Sequence, residues 1–129
     1  MNEVIITKEL IISIHDDQIA RFGGSYGVRD VGLFESCCLS PYQTFAGFEL
    51  FPSIFDKAAR FIIGFAKNQC FIDGNKRTAA TTALVLLDLN GYELTLSNDE
   101  LASFILSVAN NEIPDEFISI YLENNSSAK

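Results

Sequence analysis

Residues 68–91 read NQCFIDGNKRTAATTALVLLDLNG and join a short polar stretch to a strongly apolar run. In the run TAATTALVLLDL, residues 78–89, apolar side chains cover nearly every face of a helix, a pattern typical of burial at the centre of a domain. Asn90 and Gly91 then supply a C-terminal stop. The segment therefore predicts a buried central helix over residues 75–89, with the other elements arranged around it.

Five further helices are indicated by capping residues followed by apolar residues at helical spacing. Thr7 is a suitable N-cap for the first helix and Asp30 for the second. Ser53 and Ser97 each precede an acidic residue by three positions, the spacing of a capping box, and Pro114 suits the first position of the last helix. The predicted helices cover residues 8–22, 30 to before 41, 53–67, 97–109 and 114–122.

These signals predict an all-α fold of about six helices in a single domain over residues 1–129, a length that can bury a core without disulfides or metals. Residues 41–52 alternate poorly and lie between prolines, so they predict an ordered loop or small hairpin before the third helix. Residues 124–129 are predicted to form a short flexible tail.

The composition argues against a membrane protein and a secreted protein. With 48% hydrophobic residues the chain is too apolar for disorder, yet no window approaches the roughly 18 uninterrupted apolar residues of a membrane span. The first residues include Glu3 and Glu9 and lack the basic segment of a secretory signal. The adjacent Cys37 and Cys38 do not readily bridge, and with Cys70 they lack the spacing of zinc ligands. We therefore expect a cytoplasmic protein with no membrane partner.

The charge is −8 overall but unevenly distributed. An acidic balance argues against nucleic acid as a direct partner, because affinity for its backbone comes largely from lysine and arginine. Five of the nine cations nevertheless lie within residues 57–77, which suits a local site for a small anion. For Lys57 and Lys67 the favoured alternative is a solvated helix face.

The start of the central helix has the chemistry of a phosphate site. The first N–H groups of a helix have no partner inside it and carry the positive end of its dipole, so they attract phosphate or carboxylate. Gly74 allows a close approach of the backbone, Asn75 can cap the helix or donate its amide, and Lys76 and Arg77 supply charge. Asp73 is suited to Mg²⁺, which usually binds one or two carboxylates together with phosphates.

The alternative is a plain helix-starting turn with exposed residues in its first turn. Cations are disfavoured at that end of a helix by a few tenths to about 1 kcal/mol each, so the adjacent pair Lys76 and Arg77 favours a bound anion. The stretch is not a Walker loop, because the pattern G-x-x-x-x-G-K-[ST] is missing from the sequence.

Residues 71–77, FIDGNKR, resemble the signature H-x-F-x-D-G/A-N-K-R of the Fic/Doc family, in the form typical of its Doc, or death-on-curing, branch. Phe71 matches the phenylalanine that anchors the motif. The resemblance extends to residues 21–30, 41–47, 55–59 and 89–92.

The resemblance implies an all-α toxin of a toxin–antitoxin pair, held inactive by a Phd-like antitoxin. Fic relatives commonly transfer adenylyl groups, whereas Doc is known as a kinase. The resemblance to Doc therefore implies transfer of a phosphoryl group from ATP or another nucleoside triphosphate, with Mg²⁺, to a threonine of elongation factor Tu. This modification blocks translation.

By position, Asp73 would bind Mg²⁺, Gly74 and Asn75 would form the anion hole, and Lys76 and Arg77 would contact phosphates. Residues 43–51 fall where the family has the flap that aligns the target chain, and they are called the flap below. The predicted target-binding residues are Gln43, Thr44, Phe45, Ala46, Gly47 and Phe48. For Phe45, Phe48 and Phe51, core filling is an equal alternative.

Gln69 stands where the family has its catalytic histidine. That histidine is the general base, a role worth roughly 10²–10⁴-fold in rate, and glutamine cannot accept a proton at neutral pH. His15 is the only histidine and is predicted to have a structural role, while Cys70 is one position out of register. Two hypotheses follow: a weakened or inactive phosphotransferase, or a silent family member that only binds nucleotide, target or antitoxin.

Overall fold

A computed structural model describes residues 3–129, and these residues form six α-helices. The all-α prediction is confirmed. Within the described residues, no helix is both long enough and apolar enough to cross a membrane. The helices are α1 (Lys8–Phe22), α2 (Val31–Leu39), α3 (Ile54–Asn68), α4 (Asn75–Leu89), α5 (Asn98–Ala109) and α6 (Asp115–Asn124).

The helix starts follow the predicted capping residues. The Thr7 hydroxyl accepts a hydrogen bond from the Leu10 N–H at the start of α1. Ser53 and Ser97 form complete capping boxes at the starts of α3 and α5. Pro114 is the N-cap of α6 rather than its first helical residue, a shift of one position.

In the described part of the chain, two short antiparallel pairs of strands accompany the helices. After a single 3₁₀ turn at Ser40–Tyr42, β1 (Thr44–Phe45) and β2 (Phe48–Glu49) form the predicted small hairpin. Strand β3 (Tyr92–Leu94) pairs with β4 (Ser126–Ala128). The prediction of a flexible tail over residues 124–129 is therefore corrected, because the backbone of β4 bonds to β3.

The core is centred on α3, which packs against α2, α4, α5 and α6. Ten residues of α3 are buried, compared with six of α4. Helix α4 is thus central but not buried on nearly every face as predicted. Leu84 and Leu89 are exposed, and Leu84 lies beside an open groove between α1, α4 and α5.

The prediction of a solvated Lys57 is wrong, because this side chain is fully buried. Its ammonium donates to the carbonyl oxygens of Phe51, at 2.7 Å, and Pro52, at 3.2 Å. It also forms ion pairs with the carboxylates of Glu3 and Glu49. A buried charge is tolerated only when oxygens replace its water, and these partners come from outside α3.

Candidate functional site

The connection from α3 to α4, residues 69–74, is called the motif loop here. Gln69 ends α3 in the left-handed conformation, with φ 51° and ψ 51°, and Gly74 precedes α4 with φ 78°. Both ends of the motif loop line the same open cavity, which has a volume of about 370 Å³ and is called the motif cavity. Its lining residues are Gln69, Ile72, Asp73, Gly74, Asn75, Lys76 and Arg77.

Gly74 is required by both conformation and space. A Cβ at this position would lie 3.1 Å from Ile19 Cδ1 and 3.5 Å from His15 Nε2, in addition to the strain of a positive φ. Glycine therefore lets the motif loop rest directly on α1.

Asn75 uses its side chain inside the loop rather than toward a ligand. Its Oδ1 accepts from the Phe71 N–H at 2.9 Å, and its Nδ2 donates to the Phe71 carbonyl at 3.1 Å. Among the described residues, no side chain caps the start of α4. The first N–H groups of α4 therefore remain available to an anion in the motif cavity.

Asp73 is exposed and held at two points. Its Oδ2 accepts from the Ser25 N–H at 2.8 Å, and its backbone carbonyl accepts from His15 Nε2 at 2.7 Å. Among the described residues, no group of three or more histidine, cysteine and acidic side chains could hold a metal. A single carboxylate beside an uncapped helix start and two cations has the chemistry that Mg²⁺ requires when phosphates and water supply its other ligands.

His15 lies behind the motif loop and is 2% exposed. Its ring stacks on Phe71, with centroids 3.9 Å apart and planes 9° apart. Because a carbonyl only accepts hydrogen bonds, the bond to Asp73 requires a proton on Nε2. Its Nδ1 lies 3.6 Å from an Asp16 carboxylate oxygen. The predicted structural role of His15 is confirmed.

Replacing His15 by phenylalanine is expected to lower the free energy of unfolding by about 1 kcal/mol. The ring would still stack on Phe71, but the Asp73 carbonyl would lose its donor. Urea denaturation would measure the change, with Asp17→Asn as the control because Asp17 is exposed on the same helix and pairs with Arg21 rather than with His15. Equal stability of His15→Phe and wild type would contradict a structural bond to the loop.

Arg29 holds the other end of the motif loop, a role that sequence reasoning missed. Its Nε and Nη2 donate to the Gln69 carbonyl at 2.9 and 2.6 Å, and Nη2 also reaches the Asn68 carbonyl at 3.2 Å. The backbone N–H groups of Arg29 and Asp30 both donate to the Cys70 carbonyl. The last carbonyls of a helix attract cations, but here the cation comes from a distant segment.

Cys70 points into the core, as its register predicts, and is fully buried. A hydrogen bond from the Cys70 thiol lowers the pKa of Cys37 to about 7, against the opposing effect of burial. The same bond, together with burial, raises the pKa of Cys70 itself. Burial raises the pKa of Cys38 to about 12. Neither His15 nor Cys70 is therefore placed as a substitute base at Gln69.

Lys76 and Arg77 are exposed at the boundary between the motif cavity and a larger groove. The Arg77 guanidinium carbon lies 5.3 Å from the centre of the Phe22 ring at the end of α1. Beyond it, the groove between α1, α4 and α5 has a volume of about 670 Å³. Its lining includes Arg21, Phe22, Lys76, Arg77, Leu84, Ile105 and Leu106.

The flap projects from the surface. Phe45 and Phe48 are paired across its hairpin and are 74% and 76% exposed, so core filling is wrong for these two residues. Phe51 is half-buried and lies against the Arg60 guanidinium at 4.7 Å. All the predicted target-binding residues, 43–48, are exposed.

Comparison with known proteins is consistent with the motif. The profile of the Fic/DOC family matches residues 5–87. "Protein kinase doc" of Escherichia phage P1 is 33% identical over 108 residues, which cover 84% of each chain. "Toxin Doc" of Mycolicibacterium smegmatis is 40% identical over 78 residues, and the match spans 60% of each chain. The chain therefore belongs to the Fic/DOC family, and its relatives place it in the Doc branch.

Proposed function

We propose that this chain is a Doc-like toxin that binds a Mg²⁺–nucleoside triphosphate in the motif cavity and transfers a phosphoryl group to a protein hydroxyl. One observation carries the proposal. The start of α4 has no side-chain cap among the described residues, and it faces the same cavity as Asp73, Lys76 and Arg77. An unpaired helix start beside two cations and one carboxylate fits a metal-bound polyphosphate.

The roles follow from the chemistry of each group. The N–H groups at the start of α4, with Gly74 and Asn75, would bind phosphate oxygens, while Lys76 and Arg77 would balance their charge. Asp73 would hold Mg²⁺, which when bound neutralises charge on the transferred phosphoryl group. Asn75 would contribute mainly its backbone, because its side chain is bonded to Phe71.

Gln69 would orient the target hydroxyl without removing its proton, so transfer would be weak. Phosphoryl transfer depends mainly on position and charge, which leaves room for a residual rate. The same residue favours the second candidate function, in which the chain binds nucleotide, target or antitoxin but transfers nothing.

The family also suggests partners. By the resemblance, the target would be a threonine of elongation factor Tu, aligned by the flap, which would require the toxin to act in the cytoplasm. A Phd-like antitoxin would fit the groove beside Arg77, because its exposed apolar lining and its three cations, against the one carboxylate of Asp99, suit an amphipathic helix with acidic residues. An occupant there would also cover Lys76 and Arg77.

Calorimetry with Mg²⁺–ATP tests the nucleotide site independently of transfer. Lys76→Gln and Arg77→Gln are each expected to weaken binding about tenfold or more, since each removes a charged contact to phosphate. Lys8→Gln is the control, because Lys8 is an exposed cation paired with Glu35 at the far end of α1. If the wild type showed no heat of binding and no thermal stabilisation with Mg²⁺–ATP, the site would be refuted.

A further inference from the structure

The buried ammonium of Lys57 connects the rigid core to the base of the flap. Its partners on the flap side are the Phe51 carbonyl, at 2.7 Å, and a Glu49 carboxylate oxygen, at 3.2 Å. Glu49 belongs to β2 and pairs with Thr44 of β1. A displacement of the flap would therefore separate Lys57 from two of its oxygens.

Besides Lys57, α3 contacts the flap through Arg60, whose guanidinium lies 4.7 Å from the centre of the Phe51 ring. Residues 43–50 of the flap are all exposed, and their backbone hydrogen bonds lie within or next to the hairpin, such as Leu50 N–H to the Gln43 carbonyl at 3.0 Å. Lys57 itself lies on α3, the most buried helix. A lysine without exposed surface needs these oxygens, because loss of a partner leaves a poorly compensated buried charge. The cost of that loss favours the observed flap position.

A purely structural role for Lys57 would not depend on which carboxylate it contacts. Glu3, at 3.4 Å, approaches the same ammonium from the N-terminal segment, whereas Glu49 approaches it from the flap. The two carboxylates thus provide matched substitutions that remove the same charge from the same lysine. Only one of them alters the connection to the flap.

We propose that Lys57 is a positioning residue for the protein substrate, acting through Glu49 and the Phe51 carbonyl to hold the flap in its target-binding position. This inference rests on the proposed function. The apparent affinity for the target falls in proportion to the fraction of molecules with a correctly placed flap. Nucleotide affinity is unaffected, since the motif cavity is lined by other residues.

The experiment compares Glu49→Gln and Glu3→Gln in a Gln69→His background, using elongation factor Tu and labelled ATP. Glu49→Gln is expected to raise KM for the protein substrate about tenfold with little change in nucleotide affinity, whereas Glu3→Gln leaves both near the parent values. Equal KM values for the two variants would overturn the inference. An unchanged KM for Glu49→Gln would do the same.

Hydrogen exchange without substrate separates anchoring from direct contact between Glu49 and the target. Glu49→Gln and Lys57→Met are expected to speed exchange in residues 43–51, and Glu3→Gln is not. Unchanged exchange in a folded Glu49→Gln variant would overturn the anchoring. If the Gln69→His parent transferred no phosphate, the proposed function would fail and the target-positioning role with it, whereas transfer without a KM difference would overturn this inference alone.

Discussion

Replacing Gln69 by histidine is expected to accelerate phosphoryl transfer at least about 10²-fold, because a positioned general base contributes at least that factor to the rate. The remainder of the motif is retained: Asp73, Lys76 and Arg77 line the motif cavity together with residue 69. Because the Gln69 side chain is exposed and Arg29 binds its backbone carbonyl, a new side chain here leaves the loop contacts intact.

The measurement is transfer of label from ATP to elongation factor Tu, with the label on the γ-phosphate in one series and on the α-phosphate in another. Transfer of γ-label alone identifies a kinase, and transfer of α-label identifies a nucleotidyl transferase. Gln69→Asn is the matched control, since it keeps an amide and adds no base. Equal rates for wild type and Gln69→His would contradict the role assigned to position 69.

Truncation of Phe71 to alanine is expected to lower the free energy of unfolding by about 3–5 kcal/mol, the usual cost of removing a buried aromatic ring. Phe71 is 1% exposed and contacts the rings of His15, Phe34 and Phe65. Its backbone also carries both hydrogen bonds to Asn75. Loss of the ring therefore loosens the motif loop as well as the core, and nucleotide affinity should fall with stability.

Ile72→Ala is the control for Phe71→Ala. Ile72 is the next residue and is 52% exposed, so its truncation is expected to cost less than about 1 kcal/mol. Urea denaturation of both variants gives the comparison. Similar losses for the two would show that Phe71 is not the anchor of the motif loop.

Much of the fold could be predicted because its signals are local. Thr7, Ser53 and Ser97 each bond to an N–H three residues away, so a short window of sequence contains both partners. The candidate phosphate residues are likewise consecutive, from Asp73 to Arg77, and a single helix start brings them to one cavity.

The features that sequence reasoning missed, and the partner of His15, depend on residues that are distant in the sequence. Arg29 bonds to a carbonyl 40 residues away, and His15 bonds to one 58 residues away. The sequence predicted a solvated Lys57, because Glu3 and Glu49 approach this lysine only in the folded chain. Residues 126–128 pair with a strand that precedes them by two helices. Periodicity contains no information about such pairings.

Among the described residues, no side chain caps the start of α4, and this affects the free energy of unfolding. At the starts of α1, α3 and α5 the chain supplies its own capping side chain, whereas α4 has only Gly74 in that position. A bound phosphate would take the place of an N-cap in this helix by accepting hydrogen bonds from its first N–H groups. Folding and nucleotide supply would then be linked, since a ligand at 100 times its Kd adds about 2.7 kcal/mol of stability. Under the proposed function, abundant nucleotide would thus favour the folded chain, and depletion would favour the unfolded chain that proteases cleave.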